Sequence, residues 1–203
     1  MKTPIILLYK RVLCFSIGIF CTGIGLGFCD MAGLGMDCLA VFSDGISKIT
    51  KIPLSIINSS VNLILAGTAW FLSKRQVTLW TFLSPFILAL GIETANIYVF
   101  RISDSGIAFF FCLSGILLMV FGTTLSISAD IGKAPYDALV FAVMDKTAKR
   151  YAFIRGGFDA FWLTSGILIG GTFGIGTLLI LLFFGRLVEI FKRLIDCVVL
   201  EPD

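Results

Sequence analysis

Long apolar stretches separated by short polar breaks set the plan of this chain. Six runs stand out: Leu13–Cys29, Ile52–Leu72, Leu79–Phe100, Ile107–Ile127, Gly156–Gly170 and Gly174–Phe191. About 20 apolar residues carry a helix across hydrocarbon, so the six read as membrane helices. Two shorter stretches, Cys38–Ile49 and Ala138–Lys149, alternate apolar and polar positions and are too short to span. They read as broken, re-entrant or interfacial segments. Each follows a polar break bounded by acids: Asp30-Met-Ala-Gly-Leu-Gly-Met-Asp37 and Asp130-Ile-Gly-Lys-Ala-Pro-Tyr-Asp137.

The order of features repeats, which predicts two units of about 12–98 and 109–195 within one membrane domain, 1–203. The aspartates recur at an offset of 100, as does Leu39 in Leu139, while Thr81 matches Thr177 and Glu93 matches Glu189 at 96. Three spans per unit is an odd number, so the units would lie in opposite orientations. The expected fold is therefore an all-α six-helix bundle built from two three-helix inverted-topology repeats. Secondary transporters use such repeats and place their site near the midplane, where irregular segments meet. Gly18, Gly23, Gly25 and Gly27 let neighbouring backbones approach, which puts the first helix at the centre.

Composition agrees with the pattern. The chain is 58% hydrophobic and 14% charged, with mean hydropathy +1.01; a soluble domain carries about 25% charged residues. The net charge of +3 is informative only through its placement. With six spans and a cytoplasmic N-terminus, thirteen lysines and arginines fall on the cytoplasmic side and only Lys48, Lys51 and Arg101 outside. Such a bias is the signature of cytoplasmic loops, so both termini are expected there, in a multi-pass protein of the plasma membrane. The first run reads as a retained helix rather than a cleaved signal peptide, since no small-residue cleavage site follows it.

Histidine is absent, and the six cysteines show no C-x-x-C spacing. Neither a disulfide framework nor a zinc or haem site is expected. Cys14 and Cys21 share a helical face, a pattern that fits packing better than a soft metal. No hydrolase or metalloprotease motif occurs. The expectation is no enzyme, no cofactor and no metal.

Candidate chemistry lies in the polar residues of the apolar runs. Intramembrane charges are expensive and mark functional sites by default. Asp37 and Asp137 precede helical stretches, so helix capping stands beside cation or amine binding; Asp30 and Asp130 belong to the same breaks. Glu93 has no basic neighbour at helical spacing, leaving a neutral buried acid, a partner helix or a water-lined path. Glu189, between Arg186 and Lys192, reads as a surface ion cluster. Arg155 and Asp159 form an i,i+4 pair at a membrane entrance, where snorkelling competes with substrate binding. Asn58 and Asn62 share a face of a third helix and would bond a neighbouring helix or a solute.

Ser128-Ala-Asp-Ile-Gly-Lys-Ala-Pro-Tyr-Asp137-Ala-Leu, followed by Gly174-Ile-Gly-Thr-Leu-Leu179, resembles the YczE branch of the YczE/YyaS/YitT family of bacterial membrane proteins. Asp130, Gly132, Pro135, Asp137, Gly174, Gly176 and Thr177 fall on its pattern, A-D-L-G-x-x-P-W-D-x-L and then G-I-G-T-L. Tyr136 replaces the usual tryptophan. The first half keeps the spacing of its aspartates but moves the glycines and lacks the proline; Asn62 matches an asparagine of YitT-like members more loosely. The resemblance implies a multi-pass bacterial cell-membrane protein and little about its biochemistry. The expected function is transport of a small solute or ion at a site containing Asp130, Asp137, Glu93, Asn62, Asp37, Asp30, Asn58, Asp159 and Arg155. The alternative is a non-transporting accessory or assembly factor. The expected contacts are the lipid bilayer, a small solute or cation, and a membrane-protein partner or a second copy, with no nucleic acid.

Overall fold

The structure is a computed structural model that describes residues 4–98 and 105–199, with side chains for 8–97 and 105–195. Lys2, Arg101 and the end of the Leu79–Phe100 run lie outside the described residues. Every regular element among the described residues is helical. α1 (Pro4–Ala32), α2 (Cys38–Thr50), α3 (Leu54–Leu72) and α4 (Leu79–Tyr98) are followed by α5 (Ser105–Ser128), α6 (Pro135–Thr147), α7 (Tyr151–Leu168) and α8 (Ile175–Val199). A short 3-10 turn, Lys74–Gln76, joins α3 to α4. α1, α3, α4 and α5 are each long and apolar enough to cross a membrane.

α1 and α5 form the centre because their small residues permit near backbone contact. A Cβ placed at Gly18 would lie 2.6 Å from the Gly122 carbonyl oxygen, and one at Gly115 would lie 2.7 Å from that of Gly25. Residue numbers fall on one helix as they rise on the other, so α1 and α5 are antiparallel. The other side of α1 carries α4. Gly23 meets Gly91 and Phe15 meets Trp80 edge-on, so those two helices are parallel. The glycines of the first run thus serve the packing their spacing predicts.

α2 lies along α7, and α6 lies along α3. Midway along α2 the Asp44 carboxylate accepts from the Thr172 backbone N–H at 2.7 Å, and near its far end Lys48 bonds Thr172 and the Gly170 carbonyl. The far end of α6 meets the opposite connection, where Gln76 Nε2 donates to Asp145 Oδ2 at 2.6 Å. α3 starts where α2 ends and finishes where α6 ends, so the two short helices point to opposite ends of the bundle. Their N-termini meet in its interior.

Matching features recur at an offset of 97. Left-handed backbone occurs at Gly33 (φ 64°) and Asp130 (φ 52°), and again at Lys51 (φ 59°) and Ala148 (φ 53°). α2 begins at Cys38 and α6 at Pro135. The contact of Gly18 with Gly122 is mirrored by that of Gly115 with Gly25. Gly35 packs on Thr177 and Gly132 on Thr78, glycines 97 apart on threonines 99 apart. The aspartate register of 100 is therefore three residues out of step with the structure. Asp37 precedes α2, whereas Asp137 is the third residue of α6; proline at its first helical position starts that helix early. α7 likewise starts at Tyr151, ahead of the expected Gly156, and takes Arg155 into the helix.

Candidate functional site

The buried guanidinium of Arg155, one turn into α7, is the centre of a charged cluster. Arg155 is 4% exposed, so interfacial snorkelling, one of the two readings its position allowed, does not describe it. Its Nη1 donates to Asp137 Oδ1 at 2.7 Å and to the Tyr151 hydroxyl at 2.8 Å. Tyr151 itself donates to Asp137 Oδ1 at 2.6 Å. Asp37 Oδ1 stands 3.5 Å from Nη2, and Asp159 Oδ2 stands 3.6 Å from Nε. Asp159 accepts instead from the Tyr136 hydroxyl at 2.5 Å. The guanidinium carbon also lies 4.3 Å from the Phe184 ring centroid and 4.7 Å from that of Tyr136.

These distances sort the carboxylates by role. Asp137 is the direct counter-ion of Arg155, because a short charge-assisted bond is roughly twice as strong as a neutral one. Asp159 is held by a tyrosine. Asp37 is the least satisfied: its residue is 9% exposed, and its Oδ1, like Arg155 Nε, makes no hydrogen bond. It occupies the N-cap position of α2 without a side-chain capping bond. Asp137 lies inside the first turn of α6, with Ala134 at the cap. Asp137 therefore does not cap α6, Asp37 holds the cap position of α2, and both are oriented toward Arg155.

A cavity of about 70 Å³ adjoins the cluster. Asp37, Asp137 and Arg155 form its charged wall beside the neutral Tyr136, and Asn58, Asn62, Ser84, Thr22 and Thr123 supply amides and hydroxyls from α3, α4, α1 and α5. Asn62 Nδ2 donates to the Asn58 carbonyl at 2.9 Å, and Ser43 bonds Asn58 Oδ1 at 3.2 Å. Pro85, inside α4, also lines the cavity and removes the N–H that would pair with the Thr81 carbonyl; Ser84 Oγ bonds that carbonyl at 2.8 Å. At the 97 offset, Asn58 and Asn62 correspond to Arg155 and Asp159, so amides occupy one half where charges occupy the other.

Two larger hollows approach the cluster. One of about 430 Å³ opens among the ends of α5, α6, α7 and α8, with Arg150, Glu189, Lys192 and Arg193 at its rim and Tyr151 in its lining. Another, about 540 Å³, runs between α7 and α8 and touches Asp159.

Asp37, Asp137, Arg155, Asp159, Asn58 and Asn62 are therefore brought together. Asp130, Glu93 and Asp30 are not. Asp130 is exposed in the left-handed turn after α5, a conformation aspartate tolerates better than most residues. Glu93 is exposed on the outer face of α4, away from the cavity. Asp30 is half-buried in the last turn of α1, away from the cavity. Glu189, read as a surface ion cluster, accepts from the Ala152 backbone N–H at 3.1 Å near the start of α7. The reading of residues missed Tyr136 and Tyr151 as ligands of the carboxylates. Tyr151 precedes Arg155 by four residues, a spacing that places it on the same helix face.

Among known proteins, the model of a family of unknown function, DUF6198, matches residues 9–193. An uncharacterized protein of Haemophilus influenzae is 29% identical over 197 residues, covering 92% of this chain and 85% of its own length. The uncharacterized protein YyaS of Bacillus subtilis is 23% identical over 192 residues, covering 92% and 94%. The uncharacterized membrane protein YczE of Bacillus subtilis is 25% identical over 133 residues, covering 66% and 52%. No solved structure matches. The apolar helices and the likeness to YczE identify a membrane protein. With the family model covering nearly its whole length, the chain belongs to DUF6198, a family of unknown function.

Proposed function

We propose that this protein is a transporter of a small solute or ion, working through the cavity beside Arg155. The observation that carries the reading is the meeting of the α2 and α6 N-termini at a charged, partly unsatisfied cluster inside an otherwise apolar bundle. Broken helices whose N-termini face a midplane site are a device of secondary transporters built from inverted repeats. The offset of 97, the mirrored glycine contacts and the opposite directions of α2 and α6 support two such repeats, with α1, α3, α4, α5, α7 and α8 as six spans in the plasma membrane. The rim cations Arg150, Lys192 and Arg193 support a cytoplasmic position for that end. The warrant for transport as a class is architectural.

The test is flux. Purified protein in liposomes is challenged with gradients of small ions and polar solutes while current and internal pH are recorded. At least one solute is expected to give a response that Asp137→Asn abolishes. A silent panel, together with a stoichiometric membrane partner that co-purifies from cells, overturns transport and favours an accessory factor. One feature supports that second reading: Glu93 is exposed on an apolar helix face, where a partner would cover it.

A further inference from the structure

We propose that the cavity binds one small alkylammonium ion, with Asp37 as its counter-charge; this rests on reading the cavity as the protein's binding site. Asp37, Asp137 and Asp159 set three carboxylates against the single guanidinium of Arg155. A buried ion left unpaired costs several kcal/mol, and this cluster has a surplus of two negative charges. The two converging helix N-termini each contribute roughly half a positive charge. About one negative charge remains to be met, by a proton on one of the carboxyls or by a bound cation. Lys133, on the loop before α6, does not meet it: its ammonium lies over the Phe141 ring, 4.6 Å from the centroid, without an ion pair among the described residues.

The residual charge has a definite place. Asp137 is bonded by Arg155 and Tyr151 and Asp159 by Tyr136, whereas Asp37, whose residue lines the cavity, has only the longer ion pair of its Oδ1 with Arg155 Nη2 at 3.5 Å and no hydrogen bond at that oxygen. The site is not built for a metal, since no group of three or more acidic or cysteine side chains is placed to hold one among the described residues. The cavity walls are mixed. Ser84, Thr22, Thr123 and Asn62 offer acceptors for N–H groups, while Ile19, Leu26, Leu88 and Met119 offer an apolar surface. A primary ammonium with a short alkyl tail satisfies both. At about 70 Å³, the space is roughly half that of a cavity of about 150 Å³ able to hold benzene, which limits the ligand to a few heavy atoms.

Thermal unfolding of the full-length protein in detergent at neutral pH tests this with methylammonium and ethylammonium, against tetramethylammonium and sodium. The first two are expected to raise Tm in proportion to the logarithm of their concentration above Kd, and the others to have little effect. Asp37→Asn should weaken the effect at least tenfold, while Asp130→Asn, outside the cavity, should leave it unchanged. The proposal is overturned if methylammonium and ethylammonium do not bind, if Asp37→Asn binds them as well as wild type, or if sodium or tetramethylammonium binds equally well. The size series on wild type decides the matter even where the variant fails to fold. Binding without flux in liposomes retains this inference and removes transport; flux of a different solute without alkylammonium binding does the reverse.

Discussion

At the scale of single residues, the three aspartates around Arg155 look alike in composition and differ in energetics. Asp137 makes the short bond to Nη1, so Asp137→Ala removes the hydrogen bonds that Arg155 and Tyr151 donate to it, while Asp37 and Asp159 stay 3.5 and 3.6 Å from the guanidinium. Losing hydrogen bonds to a charged group costs about 1.5–3 kcal/mol, and chemical unfolding in detergent should register a loss of that size. Asp37 behaves oppositely. It is the surplus carboxylate, 3.5 Å from Nη2, so Asp37→Asn should leave ligand-free stability unchanged or raise it. A loss comparable to that of Asp137→Ala would show that Asp37 is an obligatory counter-ion instead. Which polar residues matter was partly legible in the sequence, because charges and amides are expensive inside apolar runs. Glu93 shows the limit. An acid in such a run is conspicuous whether it faces inward or outward, and only the packing of α4 decides that it faces out.

At the scale of elements, helix positions followed from the apolar runs, but their ends and mutual register did not. Pro135 and Tyr151 start α6 and α7 earlier than the runs suggest, and this turns Arg155 from an entrance residue into a core one. Aligning the halves on their aspartates gave an offset of 100, while the backbone repeats at 97, marked by Gly33 with Asp130 and Lys51 with Ala148. Two identical side chains are a weaker guide than the turn geometry that follows each helix. The α1–α5 crossing gives the sharpest element-scale prediction. A Cβ at Gly18 meets backbone at 2.6 Å, and backbone cannot swing aside as a side chain can. Gly18→Leu should therefore destabilise by at least the 1–3 kcal/mol typical of overpacking and lower Tm in detergent. Gly67→Ala, where an added Cβ meets nothing within 4 Å, should leave Tm within a degree or two. Equal effects of the two changes would contradict the close crossing.

At the scale of the whole molecule, the central claim is that two oppositely directed halves enclose one site that each membrane face reaches in turn. The repeated order of features in the sequence points to two halves, while the cavity depends on α2 packing along α7 and α6 along α3, which no local pattern encodes. One consequence concerns topology. Gln76 bonds Asp145, so a cysteine at Lys74 and one at Lys146 should be labelled from the same side of the membrane, and one at Lys48 from the other. The most direct test places a single cysteine at Ser84, which lines the cavity, in a chain whose native cysteines are replaced. Oriented vesicles are then treated with a membrane-impermeant thiol reagent from each side separately. The account predicts reaction from both sides; reaction from one side only, or from neither, would contradict it.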